Sequence, residues 1–374
     1  MAADAEARDA DEPLPMITIA MNTAAGLLLP LLLLQAPDAG SAADAPIWNP
    51  RPGIRLRREV VTDHFLTAEM QTYDKNGDTA VSQRLFEMHS KQSLTATDIV
   101  HALDGGRPAK LQRFYDASSF QVDIEASQGT MQTKDRKVIG TGSVAGRGVV
   151  FTWIPEDEEF GRYYDKKPGI EEVLPGLTED LGMRGLLPEE APALGDSWKL
   201  APGVIGSVLN CGGDVDFELG GGVGFDMLRT MRLGIGLDID QVFGGSEKGE
   251  VVATWIAVTE EDGVNLAEIE LVFDVVLQRD LKERAQTGMT ARDARMGMYV
   301  DSCLVTMELN GSGLVRWNLD ENILYGTKDL KASQRVGYKL VQATATPAGP
   351  KLFSQELVMV GSLRQRVVVT PVPE

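Results

Sequence analysis

From Ile54 onward, apolar side chains recur mostly at every second position, the spacing that sends alternate residues to opposite faces of a β-strand. One such run ends at Tyr73 and meets Asp74-Lys75-Asn76-Gly77-Asp78-Thr79. Asn-Gly between strand-like flanks predicts a hairpin, because both residues tolerate positive φ. A second hairpin is predicted at Asp104-Gly105-Gly106-Arg107-Pro108, joining Thr97–Leu103 to Lys110–Tyr115. Phe120–Ala126, Val138–Val144 and Gly148–Ile154 read as further strands. Strand patterning returns in Thr230–Val242, and Glu250–Thr259 and Asn265–Leu277 flank a third turn, Glu261-Asp262-Gly263. Met298–Leu309, Gly313–Leu319, Gly337–Ala345 and Leu352–Val369 complete the strand-rich tail. Asp280–Arg295 is charged and reads as a helix or a loop.

The middle of the chain departs from this pattern. Pro155–Trp198 is rich in Pro, Gly and acid, with helical spacing in Gly169–Met183, and is expected to be a connector carrying one or two short helices. Many strands joined by short turns, without alternating helices, argue against a doubly wound fold. The expectation is a mainly β protein: an antiparallel, strongly curved sheet, half-barrel or barrel-like meander with a few short helices. The predicted organisation is 1–45 as leader and signal, 46–154 as an N-terminal β region, 155–198 as connector, and 199–374 as a C-terminal β region continuous with 46–154.

The one long apolar run, Met16–Leu34, thickens into Leu27–Leu34 and gives way to small residues at Ala36–Ala45. It reads as a secretory signal peptide with exits at Gly40-Ser41-Ala42 and Ala43-Asp44-Ala45. The alternative is an uncleaved anchor, which needs about 20 apolar residues and reaches that only by counting Asn22, Thr23 and Pro30. Residues 1–15 are acidic where a signal should be basic, which points to translation starting at Met16 or Met21. No Cys follows the run, so lipidation of a mature N-terminal cysteine is not expected. The protein is predicted to work in the periplasm or outside the cell.

Formal charge is −19, of which residues 46–374 carry −13. That acidity disfavours nucleic acid and anionic membrane surfaces as partners. Without a second membrane-length run, the mature chain is not expected to span a bilayer by helices. Transmembrane strands, a further reading, are opposed by the 6% aromatic content. Cys211 and Cys303 would enter an oxidising compartment, as a disulfide or as two buried thiols.

Chemical signatures are sparse. Asp74–Asp78 fails as a calcium loop, because Gly77 falls at position four and Leu85 at twelve. His64, His89 and His101 form no zinc spacing, so no metal or cofactor is expected. No serine-hydrolase motif occurs, and Gly220-Gly221-Gly222-Val223-Gly224 lacks the residues of a phosphate cradle. Asp214 with Asp216, and Asp238 with Asp240, would share strand faces as paired carboxylates or as a solvated surface. Phe151, Trp153, Phe160, Tyr163 and Tyr164 are the densest aromatic cluster. Trp153, Tyr163, Tyr164 and Trp198 are the candidate ligand-binding residues, with core packing as the alternative.

Leu187-Pro188 followed by Leu194-Gly195-Asp196-Ser197-Trp198 resembles a phrase in uncharacterised, secreted, β-rich bacterial proteins. The resemblance implies a curved antiparallel sheet similar to the half-barrels of periplasmic lipoprotein carriers, and carries over no catalytic residues. The sequence thus favours an exported, non-enzymatic envelope-associated or binding protein holding a lipid or other hydrophobic small molecule. The alternative is a secreted hydrolase acting through the paired carboxylates on an envelope or extracellular polymer.

Overall fold

Two tight turns set the register of the molecule. Gly105 and Gly106 (φ 54° and 79°) close the hairpin between β2 (Thr79–Asp104) and β3 (Arg107–Ala126), with Asp104 opposite Arg107. Asp262 and Gly263 (φ 54° and 77°) do the same between β9 (Ser246–Glu261) and β10 (Val264–Asp280). Two consecutive residues with positive φ match the right-handed twist of the flanking strands. The computed structural model describes residues 45–373, apart from 74–78, 127–135, 181–182, 210–214, 216, 221–244, 288–294, 296 and 345–350. The leader, the apolar run, the strand expected over Thr230–Val242 and the turn at Asn76-Gly77 lie outside the described residues. Asp44–Glu374 form one compact unit.

The remaining strands are β1 (Arg55–Tyr73), β4 (Arg136–Gly142), β5 (Arg147–Ile154), β6 (Glu159–Asp165), β7 (Ser197–Leu200), β8 (Phe217–Gly220), β11 (Met298–Asn318), β12 (Ile323–Thr344) and β13 (Lys351–Pro371). All thirteen join one antiparallel sheet in the order β6-β5-β3-β2-β1-β13-β12-β11-β10-β9-β7, with β4 branching from β3 and pairing β8. The first and last strands are therefore neighbours in the middle of the sheet, Val60 lying opposite Val367 on one side and Leu94 on the other. Among the described residues the sheet does not close, its path ending at β6 and β7. This is the mainly antiparallel, curved, half-barrel-like sheet expected from the two-residue period.

Strands run longer than the periodicity indicated. Met298–Leu309 and Gly313–Leu319 are one strand, β11, continuing through a register shift between Ser312 and Leu314. Shifts also break the ladder at Ala68/Glu69, Thr95/Ala96 and Gly326/Leu330, so the strands bend and the sheet curls.

Curling gathers the inward positions into one core. Leu56, Val60, Leu66 and Ala68 of β1 are buried, as are Leu357, Met359, Leu363, Val367 and Val369 of β13 and Ile269, Leu271, Phe273, Val275 and Leu277 of β10. Each such large aliphatic contributes roughly 1.5–3 kcal/mol relative to exposure. The outward positions between them are mixed: Glu270 and Asp274 on β10, Lys331, Arg335 and Lys339 on β12, and Arg364 and Arg366 on β13 stand among exposed apolar side chains such as Phe65, Val272 and Val360.

The described residues of 166–196 and 201–209, on either side of β7, pack on the concave face and are together called the strap. It buries Val173, Leu174, Leu177, Met183 and Leu186, then Ile205, Val208 and Leu209 of α1 (Val204–Leu209), all within the same core. The helical spacing of Gly169–Met183 yields only a 3-10 turn, Glu171–Gly176, because Pro175 removes a donor and glycine follows it. A second 3-10 turn covers Arg184–Leu186. The charged stretch after β10 opens with α2 (Lys282–Thr287), packed against β11.

Candidate functional site

Three charged side chains occupy inward positions where the strand alternation calls for apolar ones. Arg58 sits between Leu56 and Val60, Asp98 between Ala96 and Val100, and Arg113 between Leu111 and Tyr115. Asp98 and Arg113 face each other directly across the β2–β3 ladder, and Arg58 lies diagonally on β1. The Asp98 carboxylate receives Arg113 Nε at 2.7 Å and Nη2 at 3.2 Å, and Arg58 Nε at 2.9 Å. Arg58, Asp98 and Arg113 are 4%, 1% and 0% exposed, so this is a charge cluster held wholly inside the core.

Two guanidiniums on one carboxylate leave an excess positive charge, which the strap balances. Burial depresses the Arg58 pKa by more than the Asp98 charge restores, the like charge of Arg113 adds to the fall, and Asp180 of the strap acts against it. Burial, the largest single effect, would likewise depress Arg113, but the charge and hydrogen bonds of Asp98 together with Tyr115 outweigh it and the pKa ends above its ordinary value. Arg184 binds Glu179 at 2.6 Å, lies 3.6 Å from Asp180, and stacks on the Trp48 ring at 5.0 Å. Arg58, Arg113 and Arg184 thus meet Asp98, Glu179 and Asp180, three charges of each sign.

The strap has little regular structure, so its carbonyls need partners. Side chains of the sheet supply them. Arg113 donates to Thr178 O and Glu179 O, each at 2.7 Å. Arg162 of β6 donates to Leu177 O at 2.7 Å, Tyr164 to Ile170 O at 2.8 Å, and Arg147 of β5 to Pro168 O. Trp198 of β7 donates to Leu186 O at 2.8 Å, and Gln365 of β13 to Leu209 O at 3.0 Å. Strands from both ends and the middle of the sheet therefore hold the strap by its backbone.

The four candidate ligand-binding residues do not converge on one point. Trp153 meets Phe160 edge-on at 5.1 Å and carries Arg107 over its face at 4.1 Å, at the β5–β6 edge. Tyr163 points outward, 49% exposed, while its neighbour Tyr164 points the other way and anchors Ile170. Trp198 anchors the same strap further along, at Leu186. Cys303 is buried on β11, its thiol pushed up to about 11 by burial, with the Asp280 charge adding. Cys211, Asp214, Asp216, Asp238 and Asp240 lie outside the described residues. Among the described residues, no three His, Cys, Asp or Glu side chains are placed to hold a metal ion.

A second feature lies on the outward face. A shallow trough of about 830 Å³ crosses six strands, from His89 on β2 to Val272 on β10. Its floor is the backbone at His64, Leu363, Ala332 and Gly311, which lie opposite one another in successive ladders. One rim is the row Asp63, Arg364, Lys331 and Ser312; the other is Phe65, Ser362, Ser333 and Asn310. The floor needs glycine at Gly311, where a Cβ would collide with the Lys331 carbonyl and the Phe273 ring; beside the trough, a Cβ on Gly361 would collide with the Phe65 carbonyl. Beneath the trough, burial lowers the pKa of His64 to about 4, against a smaller opposing effect of Asp63.

No family model matches the chain, and no curated protein sequence matches it significantly. Among solved structures, it is similar to an outer membrane channel from Pseudomonas putida F1, with 10% identity, coverage of 90% of this chain and 100% of that one, and a TM-score of 0.20. The outer membrane protein OprG from Pseudomonas aeruginosa has 8% identity, coverage of 85% and 98%, and a TM-score of 0.15. A Pseudomonas aeruginosa FadL homologue has 9% identity, coverage of 84% and 90%, and a TM-score of 0.16. At these TM-scores nothing about this chain is built on the likeness.

Proposed function

We propose that this chain is an exported, non-enzymatic protein of the bacterial envelope, and that its concave face takes up a hydrophobic ligand by exchange with the strap. The observation that carries this reading is the way the strap is held. It inserts Val173, Leu174, Leu177 and Leu186 into the sheet's apolar face and offers its carbonyls to side-chain donors, as a bound apolar segment would. Export rests on the apolar run at Met16–Leu34. The charged outward stretch of β12 and β13 supports an aqueous setting for that part of the sheet, because Arg or Lys facing hydrocarbon at the bilayer midplane costs about 2–4 kcal/mol each. Lys331, Arg335, Arg364 and Arg366 all face outward. The hydrolase alternative draws no support from the described residues, since its carboxylates lie outside them.

The test is organic extraction and mass spectrometry of protein purified from periplasmic and envelope fractions, alongside titration with an apolar fluorescent probe. Co-purifying lipid is expected, as is tighter probe binding by Arg113→Met, whose strap has lost two anchors. Absence of lipid together with probe binding unchanged by Arg113→Met would overturn the proposal.

A further inference from the structure

We propose that the trough on the outward face binds an acidic polysaccharide, with Lys331 and Arg364 taking its carboxylates. The two cations lie directly opposite each other on β12 and β13. Like charges in that position destabilise a sheet, and neither side chain makes an ion pair or hydrogen bond with another described residue. Asp63 is opposite Arg364 in register, yet it lies nearer His89, at 3.9 Å, and leaves Arg364 unpaired. Although the chain carries 55 acidic against 36 basic side chains, this outward stretch of β12 and β13 is locally basic, with Arg335 and Arg366 exposed on the same strands.

The shape selects an extended ligand. Six neighbouring strands make five spacings of about 4.8 Å, so the trough runs roughly 24 Å across the sheet while staying open along its length. Ser312, Ser362 and Asn310 line it with hydroxyl and amide groups suited to sugar hydroxyls, and Phe65, 45% exposed, offers an aromatic face at one end. A ligand with repeated carboxylates, hydroxyls and apolar ring faces matches all three. The trough lies on the face opposite the strap, so the inference stands whatever the concave face holds.

Calorimetric titration of the full chain with an oligogalacturonate tests it. Binding should weaken with rising salt, fall about tenfold in Lys331→Gln and in Arg364→Gln, and be unaffected by Lys110→Ala on β3, which lies outside the trough. A neutral cello-oligosaccharide of the same length should not compete. Circular dichroism confirms that the variants are folded. Four results would overturn the proposal: no binding by the folded chain, equal binding of the neutral sugar, binding insensitive to both substitutions, or binding of phosphatidylglycerol vesicles in preference to the sugar.

Discussion

Arg113 faces Asp98 across the β2–β3 ladder and reaches past it to the strap, donating to the carbonyls of Thr178 and Glu179. One side chain thus joins the buried charge cluster to the segment covering it. Without Asp98, two guanidiniums would remain in the core with no carboxylate between them. Asp98→Ala is expected to destabilise the fold by about 3–5 kcal/mol, the usual consequence of removing one partner from a buried ion pair. Equilibrium urea unfolding followed by tryptophan fluorescence measures it, and a loss below 1 kcal/mol would contradict the geometry.

The fold was legible in the sequence to the extent that it depends on local chemistry. The turns at Gly105-Gly106 and Asp262-Gly263 could be read directly, since their residues tolerate the φ the turn requires. Strand lengths could not, because polar residues at inward positions interrupt the alternation: Thr62 on β1, Gln334 on β12 and Gln365 on β13 are all buried. The charge cluster was hidden for the same reason. Arg58, Asp98 and Arg113 each look like a break in a strand until register places them side by side. The signal was a charge in an inward slot between apolar neighbours. The trough carries no sequence signal, since its rims are assembled across six strands by register alone.

Strap anchoring gives a second prediction. Arg113→Met keeps the Arg58–Asp98 pair but removes two hydrogen bonds from a charged donor, each worth about 1.5–3 kcal/mol. Limited proteolysis should then cut within the strap on the order of a hundredfold faster than in the parent, with cleavage of the long strands unchanged. Trp198→Phe removes one neutral hydrogen bond, to Leu186 O, and should show a smaller acceleration in the same direction. Equal cleavage of parent and variants would mean that the strap is held by packing alone.

His64 gives stability a defined pH dependence. Its folded pKa of about 4 lies below the ordinary 6.5, so between these values the unfolded chain binds a proton that the folded chain excludes. Its contribution is fully present above about pH 6.5 and is lost progressively as pH falls towards 4, by up to about 3 kcal/mol. His64→Gln should flatten the fall in urea midpoint over that window. A parallel fall in both proteins would assign the dependence to other groups.

Gly361 is a point of close backbone approach between β13 and β1. Gly361→Ala places a methyl group against the Phe65 carbonyl, and the two strands must separate to admit it. Overpacking of this kind costs about 1–3 kcal/mol. Hydrogen exchange should locate the damage, with amides near Phe65 and Gly361 losing protection while those of the β9–β10 hairpin keep theirs. Uniform loss across both regions would show that the Gly361–Phe65 approach is not the weak point.

The cation pair at the trough makes the least conventional prediction, that deleting a charge stabilises the protein. Two effects oppose each other. The chain is strongly acidic, so removing Lys331 raises its net negative charge and should slightly destabilise the compact state. Against this, Lys331 and Arg364 are direct cross-strand neighbours, and relief of such repulsion is worth about 0.2–1 kcal/mol. The local effect should prevail, because at physiological salt the Debye length is about 8 Å and most of the other charges are screened. Lys331→Gln should therefore raise the urea midpoint, Arg364→Gln should do so too, and the double variant should gain less than the sum, since either substitution removes the same repulsion. The gain should shrink in 1 M salt, where the Debye length is about 3 Å. Destabilisation by both single variants at low salt would mean that the cations have partners, and would remove the reason for placing an anionic ligand between them.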